Sequence, residues 1–210
     1  DTRNKGGGSV WEMPQLREVS REARKMGLSI HLDGARLWNS MVARDVQNNP
    51  DALIEYGSLF DSISLCFSKG LGCPVGSVLI GSSDFISRAH RARKVFGGGM
   101  RQAGVVAAAG IYALDHNIDR LAIDHERAKK LGEAALRHPS VKSCGEVQTN
   151  IVILELEEGV DSSELVAEWA ALGLHCFPFS PSSVRFVTHM DNTDEQVEEA
   201  CMLLTKNSNS

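Results

Sequence analysis

Cysteine, histidine and aromatic residues are few in this 210-residue chain, and none of them stand in a pattern that gathers a metal. The five cysteines, Cys66, Cys73, Cys144, Cys176 and Cys201, form an odd set without paired ligand spacing. That argues against a disulfide framework and against zinc, and predicts free thiols. His90, His116, His125 and His138 fall in helical, mostly polar contexts where solvated side chains are expected, so no metal site is assigned. Long apolar runs are missing too. No stretch reaches the roughly 20 residues that span a bilayer, which removes a membrane partner from the expectations. Excess positive charge is likewise lacking: 22 Lys and Arg face 27 Asp and Glu, for a net charge of -5, and the cations are scattered. Nucleic acid is therefore not an expected partner. Finally, the chain opens on Asp1-Thr2-Arg3-Asn4-Lys5-Gly6-Gly7-Gly8, with neither an initiator methionine nor a secretion signal. It reads as a fragment with an amino-terminal part missing, of cytoplasmic origin unless an upstream targeting peptide exists.

What is present is a chain with 42% hydrophobic and 23% charged residues, enough for one globular domain or parts of two. Helical and strand-like segments alternate in its first half. A helix is predicted over Pro14 to Lys25, with Pro14 in its first turn and Gly27 just past its end, leading into a strand that closes at Asp33. A short helix near Asp51 to Tyr56 precedes an apolar strand leading to Lys69, and Ser77 to Ile80 forms the next strand. Ser83 to Lys94 reads as a basic amphipathic helix interrupted at Gly97-Gly98-Gly99. Gln102 to Leu114 is nearly all apolar and is predicted to be buried, between subunits if not within one. After a bridging helix over Asp119 to Arg137, shorter elements follow: strands at Asn150 to Leu156, Leu174 to Phe177 and Ser183 to Thr188, and helices at Ser162 to Leu172 and Thr193 to Leu204. The tail Lys206 to Ser210 reads as polar coil. This predicts an α/β domain over residues 1–116 and a small α+β domain, including the bridging helix, over residues 117–210.

Two segments carry chemistry. Ser62-Ile63-Ser64-Leu65-Cys66-Phe67-Ser68-Lys69 delivers an amine at the carboxyl edge of a buried strand, where lost water would free it as a nucleophile. Leu28-Ser29-Ile30-His31-Leu32-Asp33-Gly34 delivers a carboxylate in the same way and then breaks at glycine. In an open α/β sheet both strand ends would face one crevice. Lysine and aspartate set apart like this suit pyridoxal phosphate, the first bonding its aldehyde carbon and the second holding its pyridinium proton. Each residue also has an ordinary reading: Lys69 as a plain strand end, Asp33 as the cap of the helix at Arg36-Leu37-Trp38. Arg36 can sit in a helix-face salt bridge, and Arg185 can be an exposed strand cation. Lys94 and Arg101 flank a glycine run that suits a phosphate or a simple flexible connection.

Order and detail then narrow the choice. His31-Leu32-Asp33-Gly34-Ala35-Arg36-Leu37, Ser68-Lys69-Gly70-Leu71-Gly72-Cys73-Pro74-Val75-Gly76-Ser77 and Gly97-Gly98-Gly99-Met100-Arg101-Gln102-Ala103-Gly104 resemble, in this order, the signature segments of threonine aldolases. Val184-Arg185-Phe186-Val187-Thr188-His189 is similar to the family's carboxyl-terminal substrate-binding strand. The resemblance implies part of a fold type I pyridoxal-phosphate large domain, with a mostly parallel sheet, followed by a small domain. It implies Lys69 as the covalent anchor and Asp33 as the pyridinium partner. Arg36 would reach the cofactor or the substrate carboxylate, Lys94 and Arg101 the phosphate, and Arg185 the carboxylate by a two-pronged clamp. The implied reaction is cleavage of threonine or allo-threonine, a small amino-acid substrate, to glycine and acetaldehyde in a homodimer or homotetramer whose sites are shared between subunits. Alternatives are another lyase or a hydroxymethyltransferase of the same fold, or a catalytically incomplete truncated form. The family's phosphate loop, ring-stacking histidine and candidate bases would precede Asp1, and the family usually has histidine where Arg3 stands.

Overall fold

The computed structural model describes residues 2, 3 and 6 to 206, so residues 207–210 of the expected coil tail lie outside the described residues. After two short strands, β1 (Thr2–Arg3) and β2 (Ser9–Val10), the chain divides into two compact units. One contains Trp11–Arg120, and the other joins Leu121–Ser210 to Arg3–Val10.

The first unit is α/β. Strands β3 (His31–Gly34), β4 (Ser62–Cys66) and β5 (Ser77–Gly81) form a sheet in that order, with α1 (Met13–Lys25), α2 (Leu37–Ala43) and α3 (Pro50–Ser58) packed on its apolar side. The core there is Leu16, Leu32, Met41, Tyr56 and Ile63. Each such side chain contributes about 1.5–3 kcal/mol by leaving water. Chain connectivity sets the sheet's polarity. Two helices cross between β3 and β4, which therefore run parallel, whereas β4 returns to β5 through a short loop without a helix and pairs antiparallel. The sheet within this chain is thus mixed, one parallel and one antiparallel pairing.

Local signals explain the helix ends. Pro50 opens α3 behind Asn49, whose side chain accepts from Ala52 N at 3.2 Å, and Ser82 caps α4 (Ser83–Val95) by accepting from Phe85 N. The apolar helix α5 (Gly104–His116) departs from expectation. Only Gly110 and Ala113 are buried, while Val105 is 83% exposed and Tyr112 61%. One stripe meets Phe67 and Cys73, and among the described residues no second layer covers the rest.

The second unit is a four-stranded antiparallel sheet, β6 (Val141–Cys144), β7 (Ile151–Leu156), β9 (Ser183–Val187) and β8 (Phe177–Ser180) in spatial order. On one face pack α6 (Leu121–Ala135), α7 (Ser162–Ala171) and α8 (Asp194–Lys206) around Leu131, Val152, Leu154, Trp169, Val184 and Phe186. The edge strand β6 carries exposed Lys142 and Ser143, which is why its sequence gives no strand signal. Strand β8 starts three residues later than expected. The amide of Leu174 bonds Trp169 O and that of Gly173, at φ +90°, bonds Ala170 O, so these residues close α7 before the chain can extend.

Two histidines expected in solvent are not there. His138 is buried against Trp169, edge to face at 5.2 Å, because the turn after α6 folds it under the helix layer. His125 is half-buried, and desolvation lowers its imidazole to about 4. All five cysteines are free, and burial pushes the Cys176 thiol up to about 12, so it stays protonated and unreactive.

The amino-terminal glycines dock on the sheet face opposite the helices. Thr149 Oγ1 donates to Gly8 O at 2.8 Å, and Gln148 accepts from Val10 N at 2.7 Å. Gly8 has φ +74°, and a Cβ there would drive into Thr149 Oγ1. Gly8→Ala should cost about 2–3 kcal/mol of stability, read as a lowered urea midpoint, through backbone strain and collision together. The desolvated imidazole of His125 gives a pH signature. His125 stays neutral in the folded chain between about pH 6.5 and 4 while the unfolded chain takes a proton. Its contribution is therefore complete above about pH 6.5 and is lost as pH falls toward 4. His125→Gln should flatten the fall in stability between about pH 7.5 and 5 by on the order of 2 kcal/mol, measured by urea unfolding at each pH.

Candidate active site

Asp33 owes its position to strand register. In β3 the alternation sends Leu32 and Gly34 inward and His31 and Asp33 to the other face, where both are exposed. Parallel pairing sets Asp33 beside Ser64 and His31 beside Ser62, whose hydroxyl lies 2.9 Å from His31 Nδ1. The strand ends at Gly34, as the sequence suggested, with the glycine as its last paired residue. It pairs with Leu65, and a Cβ there would come within 2.6 Å of Ser64 O, so glycine is what permits the close approach. Asp33 does not cap the next helix: its Oδ1 accepts from Ala35 N at 3.1 Å, a local turn that fixes the carboxylate, and Arg36 occupies the cap position of α2.

Lys69 lies further along the same face. Ser62, Ser64 and Cys66 alternate on β4 toward the side of Asp33, and Lys69 Nζ donates to Cys66 Sγ at 3.2 Å. The strand ends at Cys66, three residues short of Lys69, which stands exposed in the turn that follows. Expected loss of water at a buried strand edge is therefore not what the structure shows for Lys69. Burial stops earlier because Phe67 and Leu71 fold into the interior while Ser68 and Lys69 turn outward.

Arg36 is half-buried at the start of α2. Lys94 and Arg101 stand exposed on either side of Gly97-Gly98-Gly99, where Gly98 N bonds Arg93 O at 2.8 Å and ends α4. A cavity of about 450 Å³ opens between β4, β5 and α4, lined by Ser64, Ser77, Leu79, Ile86, His90 and Arg93 among others. The basic side chains at this cavity are His90, which the sequence reading expected only to be solvated, and Arg93, which it did not single out.

Arg185 belongs to the second unit. It sits mid-strand in β9, opposite Ile153 of β7 and Phe177 of β8, on the face away from the helices. Its guanidinium lies 5.4 Å from the Phe177 ring centre and 5.5 Å from that of Phe179. These rings and Cys66 are the neighbours that sequence reasoning missed. Cys66 was legible as the residue three before Lys69. The Phe-Pro-Phe run was obscured because its strand was drawn three residues too early.

Comparison with known proteins bears on what this arrangement is. A low-specificity L-threonine aldolase of Escherichia coli is 39% identical over 93% of this chain and 56% of its own length. That of Candida albicans is 37% identical over 93% of the chain and 50% of its own. The chain thus spans about half the length of the curated relatives it matches. A solved structure of Leishmania major threonine aldolase superposes with a TM-score of 0.72 at 18% identity, covering 96% of this chain and 58% of that one, a likeness of fold. Residues 1–158 match the family model described as beta-eliminating lyase, and on that match the chain belongs to the beta-eliminating lyase family.

Proposed function

We propose that this chain serves the pyridoxal-phosphate-dependent retro-aldol cleavage of threonine and allo-threonine to glycine and acetaldehyde. The observation that carries the reading is the shared face of β3 and β4. Asp33 lies on it beside Ser64, and the Lys69 amine bonds Cys66 at the strand's end, in a chain whose family and relatives point to this chemistry. The residues present fit the cofactor by the chemistry of their donor set. A carboxylate fixed by Ala35 N suits a protonated ring nitrogen, and an exposed primary amine suits an aldehyde carbon. The side chain beside Asp33 on that face, Ser64, is small. When bound, the cofactor supplies an electron sink for the pair released as Cα–Cβ breaks.

Each residue then has a defined task. Asp33 would face the ring nitrogen and hold a proton there. Lys69 would hold the cofactor through its aldehyde carbon, the same carbon that the substrate amine needs. Arg185 takes the substrate carboxylate through two parallel hydrogen bonds, which fixes the amino acid before its bond is cut. Arg36 adds a second cation for the carboxylate or the ring oxygen, and Lys94 and Arg101 serve the phosphate. The β-hydroxyl loses its proton as the aldehyde carbonyl forms, and Cα gains one as glycine leaves.

A homodimer or homotetramer with sites shared between copies belongs to the same reading, supported by the exposed Val105, Ile111 and Tyr112 of α5. Cytoplasm is the proposed compartment, and no described helix is long and apolar enough to cross a membrane. Residues 1–116 are assigned to the large cofactor domain and 117–210 to the small one.

Lys69→Ala should abolish acetaldehyde release from threonine, a loss of at least about 1,000-fold in kcat. It should also remove the visible absorbance of the cofactor-loaded enzyme. Asp33→Asn should retain cofactor but lower kcat by roughly 100-fold or more. Unchanged turnover in either variant, or pyruvate and ammonia from serine in place of glycine and acetaldehyde from threonine, refutes the aldolase reading.

A further inference from the structure

We propose that Phe177 and Phe179 are positioning residues that set the plane of the Arg185 guanidinium for the substrate carboxylate. The inference rests on the reading of Arg185 given above and goes beyond it, since neither ring touches a reacting atom.

The geometry comes from an irregularity in the sheet. In the antiparallel pairing of β8 with β9, Phe177 faces Arg185 and Pro178 faces Val184, but Ser180 already faces Ser183. One extra residue, Phe179, is therefore inserted between Pro178 and Ser180. Without the bulge, a regular pleat would set the next side chain on this face opposite Ser183, two residues back along β9 and away from the arginine. The bulge bends β8 and re-aims Phe179 so that both rings lie at the same guanidinium, 5.4 and 5.5 Å from ring centre to Cζ. Pro178 stiffens the backbone between them and has no amide to lose where the ladder is broken. Ser180 and Ser183 close the far side of the irregularity, their hydroxyls 2.6 Å apart.

A surface aromatic normally has little reason to remain in water, and Phe177 is 56% exposed. Its purpose is clearer from what it faces. Ring faces attract the flat side of a guanidinium, and its N–H edge is what a carboxylate grips in a two-pronged clamp. Two rings at similar distance restrict rotation of a long side chain that would otherwise lose several torsional freedoms on binding. Part of that ordering is already complete before the amino acid arrives. Lysine cannot use such a cradle equally, having neither the plane nor the fork.

The test uses the cofactor-loaded enzyme with Phe177→Leu/Phe179→Leu, which keeps apolar bulk and removes both ring faces. KM for threonine should rise about five- to tenfold, with kcat within about twofold, and the calorimetric Kd for glycine should weaken in parallel. Threonine amide, which lacks the carboxylate, should show no change in KM. Combined with Arg185→Lys, the Leu pair should add nothing further, and Phe177→Tyr/Phe179→Tyr should retain wild-type KM. Should the double variant fail to fold, Phe177→Leu alone, at an exposed position, should raise the threonine KM about threefold. An unchanged threonine KM in the folded Leu variant overturns the inference, as does an equal rise for threonine and its amide. Arg185→Lys separates the two levels. If it raises KM while the Leu variants do not, the aromatic positioning fails alone. If Arg185→Lys leaves KM unchanged, the carboxylate reading of Arg185 fails first.

Discussion

The parallel register of β3 against β4 is the constraint on which the candidate site depends. It puts Asp33 level with Ser64 and sends both to the face opposite the helix-packed core. Cys66, two residues on and so about 7 Å along the strand, then holds the Lys69 amine on that same face. Slip β3 by one residue and the carboxylate turns into the apolar layer of Leu16, Met41 and Tyr56, while Leu32 turns to water. The same burial that stabilises the sheet therefore excludes the odd slips that would turn Asp33 inward. Gly34 makes the close approach possible, since any side chain there meets Ser64 O.

A second, independent arrangement organises Arg185. There the sheet is antiparallel, its helix-facing side is filled by Val152, Leu154, Val184 and Phe186, and the other side carries Arg185 beside Ile153 and Phe177. One strand thus performs two tasks through its period of two: alternate residues anchor the core and present a cation. The amino-terminal glycines cover part of that second face, with Gly7 and Gly8 set against Ile153, Ile151 and Thr149.

Much of this was legible in the sequence, and the failures have physical causes. Alternation at Val184-Arg185-Phe186 and the proline-to-glycine bracket around α1 follow from local rules, and the structure agrees with both. Lys69 was misjudged because an apolar run identifies a strand but not the residue at which it stops; the strand ends at Cys66 and the next residues turn outward. His138 looked polar by its neighbours in sequence, yet a turn carries it beneath Trp169, which no local pattern records. The bulge at Phe179 escaped for a similar reason, since register belongs to two strands at once. For α5, the apolar composition led to an expectation of burial, but this chain covers only one stripe of it.

The central claim is that the Lys69 amine is the covalent anchor opposite Asp33. Borohydride reduction of the cofactor-loaded protein, followed by digestion and peptide mass spectrometry, tests it most directly. The account predicts a single pyridoxyl mass on the peptide that contains Lys69, absent when that residue is alanine. A pyridoxyl group on Lys94 or any other lysine, with Lys69 unmodified, would contradict it.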